Sequence, residues 1–377
     1  MTIGLVHEEG IMAPDRSGKY MRRALALALI GVFVFGAAGH ASAAGVVRYA
    51  KPGGASTGSC NTWPAACTLP RALSVAVSGD TVWVVKGTHK PTNGGDRTAS
   101  FALKDGVALY GGFVGTETLL SQRNPTLNVT TLSGEIGAAG NADNSYHVLR
   151  ANGVTSTAVL DGFTITAGNA NGAYQPANVG GGMYNTTSSP TLRNVTFSGN
   201  SASSEGGGMY NDIGSSPSLT DVAFSGNTAA DHGGGMFSGG GDPSLTNVAF
   251  TGNTVTGLLS SGGAMYNNFG HPSLADVTFS SNSATLGGGM YNNSSDPALT
   301  DVTFSGNSAI DGGGGMYNNS SSPILTDVTF SSNTATGSGG GMYNIGSSPV
   351  LSSSPTLSNV TFSGNSAANS GGGMYNY

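Results

Sequence analysis

Residues 190–211 read PTLRNVTFSGNSASSEGGGMYN, and close copies of this stretch fill the second half of the 377-residue chain. Its apolar residues are Leu192, Val195, Phe197 and Met209. They show no 3.6-residue spacing, which excludes an amphipathic helix. Val195 and Phe197 alternate with Thr196 and Ser198, as on a strand with one buried face. Leu192 lies three residues before Val195, so a bend must separate them if both point inward. Met209 and Tyr210 form a second short strand after a glycine run. Gly, Ser, Asn and Pro supply the turns between.

The Met of this unit recurs at 183, 209, 236, 265, 290, 316, 342 and 374, in steps of 26, 27, 29, 25, 26, 26 and 32 residues. The Phe recurs in phase at 197, 224, 250, 279, 304, 330 and 362. A fixed period in this range marks one supersecondary unit stacked on copies of itself. Two or three short strands joined by turns use up such a unit, which is one rung of a parallel β-helix. The fold class expected is therefore all-β, a parallel β-helix of about 26 residues per rung with an N-terminal cap. Equivalent residues then stack about 4.8 Å apart. Asn200, Asn227, Asn253, Asn282, Asn307, Asn333 and Asn365 are expected to form one amide ladder. Asn185, Asn211, Asn267, Asn292, Asn318, Asn344 and Asn376 are candidates for a second.

Composition narrows the partners. Charged residues make up 9% of the chain, against about 25% in ordinary domains. After Arg193 there is no Lys or Arg, while ten acids follow. An array this acidic repels nucleic acid and anionic lipid. Met21-Arg22-Arg23, the apolar run Ala24–Ala38 and Ala41-Ser42-Ala43 read as a secretory signal peptide over residues 1–44, with Met21 an alternative start. That run is too short for a transmembrane helix, so no integral span is expected in the mature chain. Cys60 and Cys67, the sole cysteines, are expected to close a small disulfide loop in an exported protein. Residues 45–179 read as a cap with irregular rungs, with Thr68–Val77 a short covering helix, and residues 180–377 as the regular array.

The pairing of F-x-x-N with G-G-A-[ILV] resembles the chlamydial-type polymorphic outer membrane protein repeat. Phe197-Ser-Gly-Asn200 and Gly262-Gly-Ala-Met265 stand close to it, with Met in place of the aliphatic residue. The segment Ala72–His89 is similar to the opening rung of pectate-lyase-like right-handed β-helices, with His89 where Tyr is usual. The resemblance implies a right-handed β-helix, export to the bacterial surface and adhesin-like roles. Many members of that family end in an autotransporter barrel. Here the array is expected to stop at Tyr377 without a cap, a truncated edge open to end-to-end self-association.

Candidate functional residues come from aligning the rungs by Met. Six residues past Met, Asp242, His271 and Asp296 follow one another, each just before Pro. Stacked, they could bind a metal or share a proton; a turn position that accepts any small polar residue is the plainer reading. Glu205 and His232, four before Met, form a weaker pair beside Asp231. Asp276, Asp301 and Asp327 form a row that alternates with Asn194, Asn247 and Asn359, which favours a turn role over calcium. If Met points inward, Tyr184, Tyr210, Phe237, Tyr266, Tyr291, Tyr317, Tyr343 and Tyr375 point outward in a line that suits the faces of sugars. Packing beneath a loop, or stabilising its neighbours by self-stacking, is the competing reading of that row. No cofactor and no metal are expected. The function expected is a surface binding scaffold without catalysis, whose partners are surface glycans or proteins of a host or neighbouring cell. A polysaccharide hydrolase using Asp242 and Asp296 is the alternative.

Overall fold

The computed structural model describes residues 45–346 and 353–377; residues 1–44, read from sequence as a signal peptide, lie outside them. All strand pairings among the described residues are parallel, and the strands form three sheets of 16, 10 and 8. Each rung of the array contributes to all three. Thr191–Ser198, for example, enters a sheet lined by Phe, Ser201–Ala202 a short sheet, and Met209–Asn211 a sheet lined by Met.

The register follows the repeat. Phe197 pairs with Phe224 and Phe224 with Phe250, and Met183 pairs with Met209 and Met209 with Met236. The Phe rings stack along the axis at 4.9 Å between Phe197 and Phe224 and 4.6 Å between Phe279 and Phe304, nearly coplanar. That spacing is the strand separation itself. Leu192, Val195, Phe197 and Met209 are all buried, as are their equivalents through Phe330 and Met342.

The bend between Leu192 and Val195 is made by Asn194, whose φ is 51°. Asp221, Asn247, Asp276, Asp301, Asp327 and Asn359 hold the same left-handed conformation, with φ between 52° and 56°. Asn and Asp are the non-glycine residues that tolerate it best. The turn reading of the Asp row thus has a backbone cause. Within the glycine run, a Cβ on Gly207 would lie 2.1 Å from the Thr228 carbonyl oxygen, so the next rung leaves no room for a side chain.

The first Asn ladder is continuous. From Asn227 to Asn333, each side-chain Nδ2 donates to Oδ1 of the next Asn and to the carbonyl of the Phe in the rung before, and each Oδ1 also accepts a backbone N–H. Asn200 through Asn333 are fully buried in this arrangement. The second ladder runs Asn267–Asn292–Asn318–Asn344–Asn376, but Ser238 interrupts it, and Asn211 donates to the Phe237 carbonyl instead.

Rung pairing extends into the aperiodic half. Val159–Thr166 pairs in register with Thr191–Ser198, and Leu149–Asn152 with Met183–Thr186. Before them, Val47–Ala55, Thr81–Val85 and Ala108–Phe113 continue the Phe sheet. The helix Leu69–Val75 buries Leu69, Ala72 and Leu73. Cys60 and Cys67 form a disulfide beside it, with Cα atoms 5.3 Å apart. No helix of the described residues is long and apolar enough to cross a membrane.

Candidate functional site

The structure stacks Asp242, His271 and Asp296 on one turn column, but it gives that column a backbone task. Asp242 Oδ1 accepts the His271 backbone N–H at 2.7 Å, and Asp296 Oδ1 accepts that of Ser322 at 2.5 Å. Serines do the same in neighbouring rungs: Ser216 Oγ accepts from Asp242 N at 2.9 Å and Ser322 Oγ from Ser354 N at 3.1 Å. Along this column Ser and Asp are thus equivalent acceptors for the backbone N–H of the next rung. His271 Nδ1 lies 3.7 Å from Asp242 Oδ1, with the two side chains 68% and 63% exposed. Water screens such a pair strongly. Asp242 and Asp296 stand two rungs apart, about 9.6 Å.

The Tyr row is corrected on one point: it does not face solvent along most of its length. Tyr184, Tyr210, Phe237, Tyr266 and Tyr291 are between 5% and 9% exposed, and only Tyr317, Tyr343 and Tyr375 are half-buried. The rings stack on one another, at 5.0 Å for Tyr210–Phe237 and 5.1 Å for Tyr266–Tyr291. The row four residues before Met folds over them. Val179 and Leu286 pack on the rings, and His232 stacks on Tyr266 at 4.4 Å. Backbone bridges link Glu205 to His232, His232 to Ser261 and Ser261 to Leu286, which makes this cover a thin ribbon. Burial raises the Tyr210 and Tyr266 hydroxyls well above the ordinary tyrosine range.

Glu205 and His232 belong to that cover. Burial, helped by Asp231 and Asp212, pushes the Glu205 carboxyl up to about 7. Burial pushes His232 down. Asp231 accepts from the Ser204 hydroxyl at 2.9 Å. The pair is an unusual electrostatic spot, but its neighbours are stacked rings rather than a hollow that could take a substrate. Among the described residues, no group of three or more His, Cys, Asp or Glu could hold a metal ion. Along the Asp–Asn row, Asn247 donates to Asp221 at 2.5 Å and Asn194 to Asp161 at 2.9 Å.

A feature that the repeat alignment passes over lies in the cap. A cavity of about 600 Å³ opens between the end of the strand Val47–Ala55, the start of the helix and the segment 88–93. Lys51 and Lys90 line it with Ser56, Thr68, Thr88 and Asn93, and its lining contains no Asp or Glu. His89, also in the wall, donates from Nε2 to the Val85 carbonyl at 2.9 Å, and burial holds it neutral by lowering its pKa. The sequence signal was the confinement of Lys and Arg to residues before 194; the three segments that build the cavity share no period.

Residues 181–367 match the family described as right handed beta helix region. The chain is a right-handed parallel β-helix. Residues 359–376 match the Chlamydia polymorphic membrane protein repeat, in keeping with the F-x-x-N and Met-strand motifs. A search of curated proteins finds no match. Among solved structures, the crystal structure of pectate lyase Pel9A is similar at 12% identity and a TM-score of 0.39, over 86% of this chain and 79% of that one. A rhamnogalacturonan lyase is similar at 10% identity and a TM-score of 0.37, over 84% and 85%. The catalytic unit of a GH87 alpha-1,3-glucanase from Streptomyces thermodiastaticus is similar at 15% and 0.28, over 80% and 64%. Likenesses at this level carry no argument about activity.

Proposed function

We propose that the chain is an exported, non-catalytic β-helix scaffold that works at a bacterial cell surface by binding glycans or proteins of a neighbouring cell. The observation that supports this reading best is the occupation of the repeated side chains. The carboxylates of the Asp242–His271–Asp296 column hold turns, the amides hold ladders, and most of the Tyr row holds its own cover. What the array leaves for partners is its outer face, with hydroxyl ranks such as Thr278, Thr303 and Thr329, and the less covered Tyr317 and Tyr343. The match to the Chlamydia polymorphic membrane protein repeat supports the cell-surface location.

The hydrolase reading keeps one point in its favour. The two-rung spacing of about 9.6 Å between Asp242 and Asp296 lies just beyond the carboxyl separation used by inverting glycosidases, roughly 6.5–9.5 Å, within reach of side-chain rotation. One assay separates the two readings. The full chain is incubated with neutral and acidic glycans, and both retention and new reducing ends are measured. Retention without new ends is the expected result. New reducing ends that disappear in Asp242→Asn or Asp296→Asn would overturn the scaffold reading.

A further inference from the structure

Ten Lys and Arg residues lie between 48 and 193, and the structure gives most of them a partner. Arg48 pairs with Asp80 at 2.9 Å and Arg123 with Asp161 at 2.8 Å. Arg71, Arg97 and Lys104 donate to backbone carbonyls, and Arg150 lies over the Tyr184 ring. Lys86 and Arg193 are exposed, where water solvates them. Lys51 and Lys90 differ from all of these. Both are half-buried, both line the same cavity, and neither side chain has a hydrogen bond or ion pair among the described residues.

A partly desolvated ammonium without a counter-charge is costly, and two around one hollow repel each other as well. A lysine laying its stem along Pro52 or Pro91 explains one such residue. It does not explain a cavity with two of them and no carboxylate in its wall. The charge of this wall also runs against the chain, whose formal net charge is −6. Such an arrangement calls for an anion. The cavity, about 600 Å³, is several times larger than an inorganic ion needs and falls within the range of small-molecule sites. Ser56, Thr68, Thr88 and Asn93 add hydroxyl and amide groups, which suit a ligand that carries hydroxyls itself.

We propose that this cavity is a binding site for a sugar phosphate, a hexose-sized ring with one phosphomonoester. The two ammonium charges match a phosphomonoester, which carries about −1.5 to −2 near pH 7, better than a carboxylate or sulfate ester with a single charge. Ring hydroxyls then meet the Ser, Thr and Asn side chains. The site lies in the cap and goes beyond the scaffold reading of the array. It stands or falls separately, since glycan retention by the array does not pass through Lys51 or Lys90.

The test is isothermal titration of the full chain with glucose 6-phosphate, glucose 6-sulfate, glucose and inorganic phosphate. Glucose 6-phosphate is expected to bind at least about tenfold more tightly than each of the others, with Lys51→Gln and Lys90→Gln each weakening it about tenfold or more. Lys86→Gln, an exposed neighbour, is expected to leave it within about twofold. Lys51→Arg keeps the charge and is expected to retain most of the binding. Lys51, His89 and Lys90 are the titratable groups of the wall. Binding should strengthen from pH 5 to 7.5 as the phosphate loses its second proton, at about 6. Equal affinity for glucose and glucose 6-phosphate would overturn the proposal. So would unchanged affinity in a folded Lys51→Gln, Lys90→Gln double variant, or no detectable binding of glucose 6-phosphate.

Discussion

The array and the cap are built on the same sheets but spend their polar side chains differently. In the array, Asn253 donates to Asn282 and to the Phe224 carbonyl, Asp242 caps the turn of His271, and Tyr266 is sandwiched between neighbours. Each of these groups is satisfied by its own copy one rung away. In the cap, few polar residues stack on a copy of themselves. Arg48 must find Asp80, Trp63 must find the Glu117 carbonyl, and the Lys51 and Lys90 side chains find no partner among the described residues. Periodicity satisfies backbone and side chain together, and so it consumes the groups that chemistry would need. Where the period lapses, charges and a cavity are left over.

The sharpest way to break this contrast is to remove one step of the continuous ladder. Asn282 accepts from Asn253 and donates to Asn307 and to the Phe250 carbonyl, fully buried. Asn282→Ala orphans several buried groups and is expected to cost about 4 kcal/mol, read as a lower denaturant midpoint. A loss below about 1 kcal/mol would show that the ladder is not what holds the rungs together.

The cap is held by a different device. Cys60 and Cys67 are seven residues apart, so their bond closes a short loop. The double variant Cys60→Ser, Cys67→Ser is expected to lose about 2–3 kcal/mol, felt in the cap rather than along the array. Hydrogen exchange resolves this: amides of Val47–Ala55 should lose protection while those of Ser273–Ser280 keep theirs. Uniform loss along the chain would mean that cap and array unfold as one unit.

Glu205 marks where the array departs from its own rule. Its carboxyl is pushed up to about 7, first by burial and then by Asp231 and Asp212. A folded-state pKa raised above the unfolded value leaves stability intact below about pH 4.5 and removes it as pH rises to about 7. Discounted for its partial exposure, ionisation should cost about 1–2 kcal/mol at pH 8. Glu205→Gln should recover that amount at pH 8 and flatten the profile between pH 5 and 8, as followed by thermal melts. An unchanged profile would show that the cover over Tyr210 opens freely to water.

Much of this was legible from the repeat. The rung period, the inward set of Leu, Val, Phe and Met, the bend before Val195 and the first Asn ladder all follow from spacing. The orientation of the Tyr row did too, and its packing under a cover was one of the two readings of that row, but what forms the cover was not legible. Residues four before Met read Val, Glu, His, Ser and Leu at 179, 205, 232, 261 and 286, a mixture that gives no sign of a ribbon folded over rings. The Lys51–Lys90 cavity was out of reach, because it joins residues near 51, 68 and 90 that only the folded cap brings together.

The smallest expected effect tests whether periodicity itself is the stabilising principle. Ser238 is buried in the second ladder, and its Oγ has no partner; the Oδ1 of Asn267, in the next rung, has none either. Asn211, Ser238 and Asn267 pair in register. An Asn at 238 would accept from Asn211 Nδ2, which now donates to the Phe237 carbonyl at 3.3 Å, and would donate to Asn267 Oδ1. Each restored bond contributes about 0.5–1.5 kcal/mol, so Ser238→Asn should stabilise the chain by about 1 kcal/mol, since strain from the larger side chain offsets part of the gain. A substitution that enlarges a buried side chain usually destabilises. A rise in the denaturant midpoint would therefore be specific to the healed ladder. A fall would mean that the rung at Ser238 has already tightened around the serine, and that the array tolerates its interruptions by local repacking rather than by leaving vacant steps.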